Sequence, residues 1–192
     1  MDPMQRFDEL FAEARLAPCH DPTAMTLATV GADGRPSARV VLLKGVDGGG
    51  FVFYTNTRSR KGRELDGNPQ VALTLWWPAT GWQVRVEGAA ARVTDGEADA
   101  YFATRARGSQ LGAWASEQSE TLASRAELEG RLQALTERFA NRPVPRPPHW
   151  TGYRVTPTLI ELWKNREDRL HDRQEYRRAS ATAPWTMRLL NP

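Results

Sequence analysis

Four cations fall within six residues at Arg58, Arg60, Lys61 and Arg63, directly around Ser59. Serine is a favoured N-cap, so the pattern predicts a helix that opens at Ser59 with cations in its first turn. The sign is wrong for a helix start, which already carries about half a positive charge and disfavours further cations by a few tenths of a kcal/mol each. An anion among them reverses that cost. Backbone N–H groups, the helix dipole and basic side chains together make a phosphate site. The competing reading is a solvated basic turn.

Other residues could join such chemistry. Tyr101, Arg105 and Ser109 are spaced four apart and line one side if a helix or its continuation persists past Gly108. In a predicted strand over Trp82 to Val93, Gln83, Arg85 and Glu87 share one face, with Trp82, Val84 and Val86 on the other. Arg169, His171 and Arg173 alternate in a predicted strand from Arg169 to Arg177, so three basic groups would share a face and require an anion or carboxylates opposite. Metal chemistry has little support, because His20, His149 and His171 lie far apart and Cys19 is the only cysteine. Neither a G-x-S-x-G elbow nor a G-x-G-x-x-G fingerprint occurs.

The bulk properties narrow the class. The 192 residues are 40% apolar and 26% charged with a net charge of +3, which suits a single domain, residues 1–192, with a full core. The cations are scattered in short groups and form no continuous basic face with aromatics, so a nucleic-acid partner is not expected. No apolar run of about 18 residues and no basic-then-apolar leader is present, which makes a cytoplasmic protein without a membrane span the expectation.

The elements that must position these residues are mostly strands. Residues 3–16 form an amphipathic helix with Phe7, Leu10, Phe11 and Ala14 on one stripe. Strands are predicted over Ala24 to Val30, Ser37 to Lys44 and Phe51 to Thr55, joined by Asp33-Gly34 and Asp47-Gly48-Gly49-Gly50 into an antiparallel meander. Val71 to Trp77 and Trp82 to Val93 follow the basic helix. A helical insertion spans 95–140, in which Ser124 and Glu127 predict a capping box and Leu128, Leu132, Leu135 and Phe139 a stripe for core or subunit contact. The C-terminal part, 151–192, reads as strands again, over Thr151 to Thr156, Leu159 to Trp163, Arg169 to Arg177 and Trp185 to Leu189. About nine short strands with interrupting helices favour a mainly β chain with peripheral helices, in a closed or nearly closed antiparallel barrel.

Seven segments in matching order resemble one family, the pyridoxine/pyridoxamine 5′-phosphate oxidases, FMN enzymes with a split β-barrel: DPTAM (21–25), RVVLLK (39–44), FYTN (53–56), SRKGREL (59–65), QVRVEG (83–88), SQLGAWASEQS (109–119) and RLHDR (169–173). The resemblance runs from about Phe7 to Pro192. It implies a homodimer with FMN in a cleft between subunits, its phosphate gripped by Arg39, Arg60 and Lys61. The segment Val40, Val41, Leu42, Leu43 and Lys44 would line the cofactor, with Tyr54 and Thr55 adding contacts. Gln83, Gln118, Ser119, Trp163 and Arg173 would hold the ring system and ribityl chain, some of them from the second subunit. The substrate's phosphate falls to Lys44, Tyr101, Arg105 and Ser109, while Arg169, Leu170 and His171 stand at the pyridine ring, Arg169 and His171 being the catalytic pair. The implied reaction oxidises C4′ of pyridoxine or pyridoxamine 5′-phosphate to give pyridoxal 5′-phosphate, with dioxygen reoxidising the flavin to release hydrogen peroxide, and ammonia leaving from the amine.

The chain departs from the family pattern at Trp82, where arginine is common, at Ala106, where proline often follows the substrate-binding arginine, and in the charged turn 164–168. Arg39 and Lys44, five apart, would point to opposite faces of a regular strand, so either the strand bulges or the two serve different ligands. Two other readings stay open: a flavin oxidase acting on a phenazine-type precursor, and a split-barrel protein that binds flavin or haem without turnover.

Overall fold

The computed structural model describes residues 2–18, 21–47 and 49–192; Cys19, His20 and Gly48, named above as lone thiol, candidate ligand and turn glycine, lie outside the described residues. Nine strands among the described residues form one antiparallel sheet. They are β1 (Ala24–Val30), β2 (Pro36–Leu42), β3 (Gly45–Asp47), β4 (Gly50–Asn56), β5 (Gln70–Trp77), β6 (Trp82–Arg92), β7 (Trp150–Lys164), β8 (Asp172–Arg177) and β9 (Thr186–Leu189). Their order is β2-β1-β5-β6-β7-β4-β3, with β8 and β9 continuing outward from β7.

β2 and β3 stand at opposite ends of that order, yet only Leu43 and Lys44 separate them in the chain. The sheet has therefore curled until its edges meet. Lys44 N–H donates to the Val52 carbonyl and Leu43 N–H to the Thr23 carbonyl, both at 2.8 Å. The expected three-strand meander is corrected here: β1 pairs with β2, while β4 pairs with β3 and β7. The cause is local. Leu43 drops its side chain into the core, the strand stops at Leu42, and the chain changes partner in one step. The two expected strands either side of Pro157 are likewise one strand, β7, because a bulge at Thr158 of β7, between the pairs Glu87–Leu159 and Gly88–Pro157, takes up the irregularity beside a proline that can donate no ladder bond.

Inside the curl, alternate residues of the strands are fully buried, among them Leu27, Phe53, Leu73, Val86 and Ile160. Helix α1 (Pro3–Leu16) packs Phe7, Leu10 and Ala14 into the same core, with Phe7 edge-on to Phe51 at 4.8 Å. Each such Phe or Leu contributes roughly 1.5–3 kcal/mol by burial. Helix α2 is Arg60–Gly67. The insertion holds α3 (Asp95–Thr104), α4 (Arg107–Ala115) and α5 (Arg125–Arg138), and a second apolar cluster of Phe102, Leu111, Phe139, Val144 and Trp150 fixes it to the start of β7.

Two further expectations change. Ser124 caps α5 through Glu127 N–H, but Glu127 returns its carboxylate to Ala123 N–H, so the reciprocal half of the box is displaced by one residue. α5 itself buries no residue and Leu132 is exposed; only its end, Leu135 and Phe139, joins the second cluster. In the C-terminal part the strand begins at Asp172, not Arg169. Glu167–Arg169 is a 3-10 turn in which Asp168 and Arg169 have φ of 53° and 62°, so Arg169 and His171 do not alternate with Arg173 on a strand face.

Gly152 illustrates how the fold shapes the cleft described next. A Cβ there would lie 2.6 Å from the Tyr54 ring and 2.9 Å from Val93, so the tyrosine lies flat over bare backbone. Gly152→Ala is expected to cost about 1–3 kcal/mol by overpacking, lowering the melting temperature by roughly 2–12 °C; an unchanged melting curve would show that Tyr54 can move aside freely.

Candidate active site

A trench runs along the barrel edge where the chain changes partner. One part, about 280 Å³, is lined by Arg39, Val40, Val41, Leu42, Lys44, Tyr54, Thr55, Lys61, Tyr101, Arg105, Gln118 and Trp150. The other, about 340 Å³, shares Tyr54, Thr55, Arg105, Gln118 and Trp150 and adds Ser109. Arg39 and Lys44 thus reach one cleft, because the strand ends between them and neither a bulge nor two separate faces is required. Four cations line the first part and no carboxylate does. Like charges in a half-buried cleft repel unless an anion enters.

Arg105 is the most exposed to that imbalance. Its Nη1 is buried without a hydrogen-bond partner, while the guanidinium lies 4.9 Å from the Trp150 ring and 5.5 Å from Phe102. Burial lowers its pKa, although a guanidinium stays charged. The expected single stripe through Tyr101, Arg105 and Ser109 arises differently. α3 stops at Thr104, Arg105 and Ala106 are extended, and α4 restarts at Arg107. The break turns Arg105 inward between the two helices. Tyr101, Tyr54 and Trp150 stack beside it, with Tyr54 4.0 Å from Tyr101 and 5.0 Å from Trp150. Burial raises the pKa of both tyrosines, which keeps them as phenol donors.

The helix start is more closed than expected. Ser59 caps α2 through Gly62 N–H, and Arg60 N–H donates to Ser119 Oγ at 3.1 Å, so two of the supposedly free donors are taken by the protein. Lys61 Nζ donates to Gln118 Oε1 at 2.8 Å and to Thr55 Oγ1 at 3.2 Å. Burial first, then repulsion from Arg39, lowers the Lys61 pKa, and Glu64 offsets only part of this.

Glu64 is the residue that the basic pattern concealed. Its carboxylate, only 8% exposed, accepts from Thr29 Oγ1 (2.5 Å), Ser37 Oγ (2.8 Å), Arg60 Nε (2.8 Å) and Arg39 Nη2 (3.2 Å). Desolvation pushes its pKa up, but these four donors outweigh it and hold the group at about 2. Glu64 therefore fixes Arg39 and Arg60 without entering the trench lining. Trp150, the platform under Arg105, was also missed. The signal for Glu64 was its i+4 spacing from Arg60.

A second group of expected residues gathers elsewhere. Gln83 on β6, Trp163 on β7 and Arg173 on β8 form one cross-strand row, and His171 packs on Trp163 with ring centroids 4.3 Å apart. His171 Nδ1 accepts from Arg166 N–H at 3.2 Å, which leaves Nε2 to carry the proton of the neutral ring. Arg169 and Leu170 are exposed, and the Arg169 guanidinium has no partner among the described residues. Trp163 is a dozen residues along β7 from Thr151, the partner of Thr55. At about 3.3 Å per residue that is roughly 40 Å of strand. The two groups thus sit at opposite ends of β7.

A wider groove of about 620 Å³ lies beyond Asn56 and Gln118, between Arg58, Arg63, Trp114 and His149. Among the described residues no cluster of His, Cys, Asp and Glu could hold a metal ion, and no helix is long and apolar enough to cross a membrane.

Comparison with known proteins adds the following. Residues 11–139 match a family model described as pyridoxamine 5′-phosphate oxidase, and residues 150–192 match one described as pyridoxine 5′-phosphate oxidase C-terminal dimerisation region. The chain is 58% identical over 191 residues to a pyridoxine/pyridoxamine 5′-phosphate oxidase of Myxococcus xanthus, covering 100% of this chain and 92% of that protein. It is 60% identical over 177 residues to the enzyme of the same name from Rubrobacter xylanophilus, covering 92% and 82%. Among solved structures it resembles PhzG of Burkholderia lata in complex with tetrahydrophenazine-1-carboxylic acid, with 34% identity, TM-score 0.93, and 100% and 93% coverage. A pyridoxamine 5′-phosphate oxidase-related, FMN-binding protein of Nostoc punctiforme, 19% identical with TM-score 0.78 over 100% and 98% of the chains, shares the split-barrel fold.

Two outcomes are expected. The low pKa of Glu64 stabilises the fold fully above its ordinary value of 4.5, and that contribution is lost as pH falls towards 2. Glu64→Gln should therefore flatten the fall of melting temperature with acid over that window, and an acid limb of unchanged slope would place the sensitivity elsewhere. Ala106 has φ −54° and ψ 139°, which proline adopts, and Arg105 before it is already extended. Ala106→Pro should stabilise by about 0.4–1 kcal/mol, read as a small rise in melting temperature; a fall would mean that the break between α3 and α4 must flex.

Proposed function

The chain belongs to the pyridoxamine 5′-phosphate oxidase family, and from that premise we propose that it is an FMN-dependent oxidase of pyridoxamine and/or pyridoxine 5′-phosphate, acting as a homodimer. The observation that carries this is the trench lined by Arg39, Lys44, Lys61 and Arg105 with no carboxylate, and Arg105 Nη1 buried and unpaired within it. Such a cleft suits dianionic phosphates, and its polar donors suit a phosphorylated cofactor beside a phosphorylated substrate.

In this reading Arg39, Arg60 and Lys61 hold the flavin's phosphate, with Tyr54, Thr55, Gln118 and Ser119 around it and Val40 to Leu43 against its body. Lys44, Tyr101, Arg105 and Ser109 take the substrate's phosphate. Gln83, Trp163 and Arg173 hold the ring system from the other end of β7, and the matched dimerisation region supports a partner copy as their source. Arg169 and His171, also from that end, stand over the pyridine ring and orient C4′. Arg169 adopts a left-handed backbone conformation that costs a non-glycine residue of order 1–3 kcal/mol. Strain of that kind, on a guanidinium without a partner among the described residues, fits a group held ready for a ligand. When bound, FMN supplies the two-electron acceptor, and dioxygen restores it with release of hydrogen peroxide. The protein's own contribution is alignment: two phosphate anchors and one ring clamp fix the reacting carbon against the acceptor and keep bulk water out of the stacked aromatic floor.

A second reading comes from the likeness to PhzG, whose complex holds a tricyclic acid. In that case the free cations of Lys44 and Arg105 would meet a single carboxylate. Retention of the whole set Lys44, Tyr101, Arg105 and Ser109 favours a phosphate.

The direct test is anaerobic mixing with pyridoxamine 5′-phosphate, which should bleach the flavin absorbance; bleaching by a dihydrophenazine acid and not by the vitamin would reverse the order of the two readings. Arg60→Ala combined with Lys61→Ala should yield largely colourless protein. Arg169→Ala should keep its flavin and lose roughly ten- to hundred-fold in kcat/KM, the usual effect of deleting a charge-assisted contact. Equal loss of flavin and turnover in that variant would contradict the role given to Arg169.

A further inference from the structure

On the outer face of the sheet, Arg85, Glu161, Glu175 and Arg188 stand in one row across β6, β7, β8 and β9, each in register with the next. Two glutamates thus sit directly opposite each other, an arrangement that is destabilising by itself. Both are nearly fully buried, at 2% and 5% exposed. Each is clamped by two arginines. Glu161 takes Arg85 Nη1 on Oε2 and Arg173 Nε on Oε1, both at 2.7 Å. Glu175 takes Arg177 Nε at 2.7 Å and Arg188 Nε at 2.6 Å on Oε1.

The neighbouring row on the same face is Gln83, Trp163 and Arg173. Arg173 therefore belongs to both rows. Its Nε is held by Glu161 and its Nη1 donates to the Asn191 carbonyl at 3.0 Å, which leaves Nη2 as the end of the guanidinium not engaged by any of the described residues. Two fixed contacts on one planar group define its orientation. We propose that Glu161 is a positioning residue, which touches no ligand itself but aims the Arg173 guanidinium at the flavin ring system, so that cofactor affinity depends on a carboxylate outside the cleft.

A merely structural carboxylate would behave differently. Removing it would lower stability alone, because Arg85 and Arg173 could be satisfied by water on the solvent side. A positioning carboxylate instead shares its effect with the residue it aims, so the two substitutions are not additive.

This inference rests on the flavin reading given above, and the wild-type titration separates the two. If the wild type binds no FMN, that reading fails. If it binds, the test is a double-mutant cycle on the FMN dissociation constant, followed by flavin fluorescence quenching on the dimeric protein, with melting temperature and oligomeric state measured beside it. Glu161→Gln and Arg173→Ala are each expected to weaken FMN about ten- to hundred-fold, and the double variant by no more than the larger single effect. Arg85→Met, which leaves the Arg173 contact in place, should change affinity less than about threefold. Wild-type affinity in Glu161→Gln, full additivity in the cycle, or a loss in Arg85→Met equal to that in Glu161→Gln would each overturn the assignment. Should Glu161→Gln not fold, Glu161→Asp keeps the charge and draws the carboxylate back from Arg173. It should weaken FMN by more than about fivefold with the dimer intact, and wild-type affinity there would equally refute the proposal.

Discussion

Positive charge held together without an anion is the constraint around which this molecule is arranged. Arg39, Lys44, Lys61 and Arg105 face one trench, where burial first and repulsion from Arg39 second lower the pKa of Lys61. The protein does not neutralise the trench directly. It places carboxylates behind the cations: Glu64 behind Arg39 and Arg60, and, at the far end of β7, Glu161 behind Arg173. A carboxylate in the cleft would compete with an incoming phosphate, whereas one behind it fixes the guanidinium and leaves its outer edge free. That is preorganisation, with the entropy of the arginine side chains lost on folding instead of on binding.

The same arrangement explains which parts were legible in the sequence. Strands with clean alternation, such as Val84 and Val86 against Arg85 and Glu87, and the Phe7–Leu10–Ala14 stripe of α1, show their buried faces because period and burial coincide. The seven family segments pointed to most of the trench. Of the contacts of Glu64 only the i+4 spacing from Arg60 is local; Thr29, Ser37 and Arg39 arrive from two other strands, and contacts of that range leave no pattern in the sequence. The meander failed for a related reason. Ser37 to Lys44 reads as one strand, yet the sheet needs its two edges joined, and the join is made by burying Leu43 and changing partner there.

The segment Arg169 to Arg173 shows the opposite failure, in which a pattern was present and misled. Arginine, histidine and arginine at alternate positions mimic a strand, but alternation of charged residues carries no burial information. The backbone at Asp168 and Arg169 is left-handed, a state that asparagine, aspartate and glycine enter more easily than arginine. Asp168 supplies the tolerant residue and Arg169 is carried along. The segment therefore joins the sheet only from Asp172 onward, and Arg169 stays exposed outside it.

The length of β7 ties these observations together. Its first residues pair with Tyr54 and Thr55 at the phosphate trench, and its last carry Trp163 beside Arg173 and His171. One continuous strand, its register shifted at Thr158 beside Pro157, separates the two by roughly 40 Å of backbone. A flavin mononucleotide is far shorter than that, so a single copy cannot close both ends on one cofactor. In the proposed dimer each cleft takes the start of β7 from one copy and the end from the other. In that dimer the outer-face ladder of Arg85, Glu161, Glu175 and Arg188 would also brace the segment whose far end reaches the other copy.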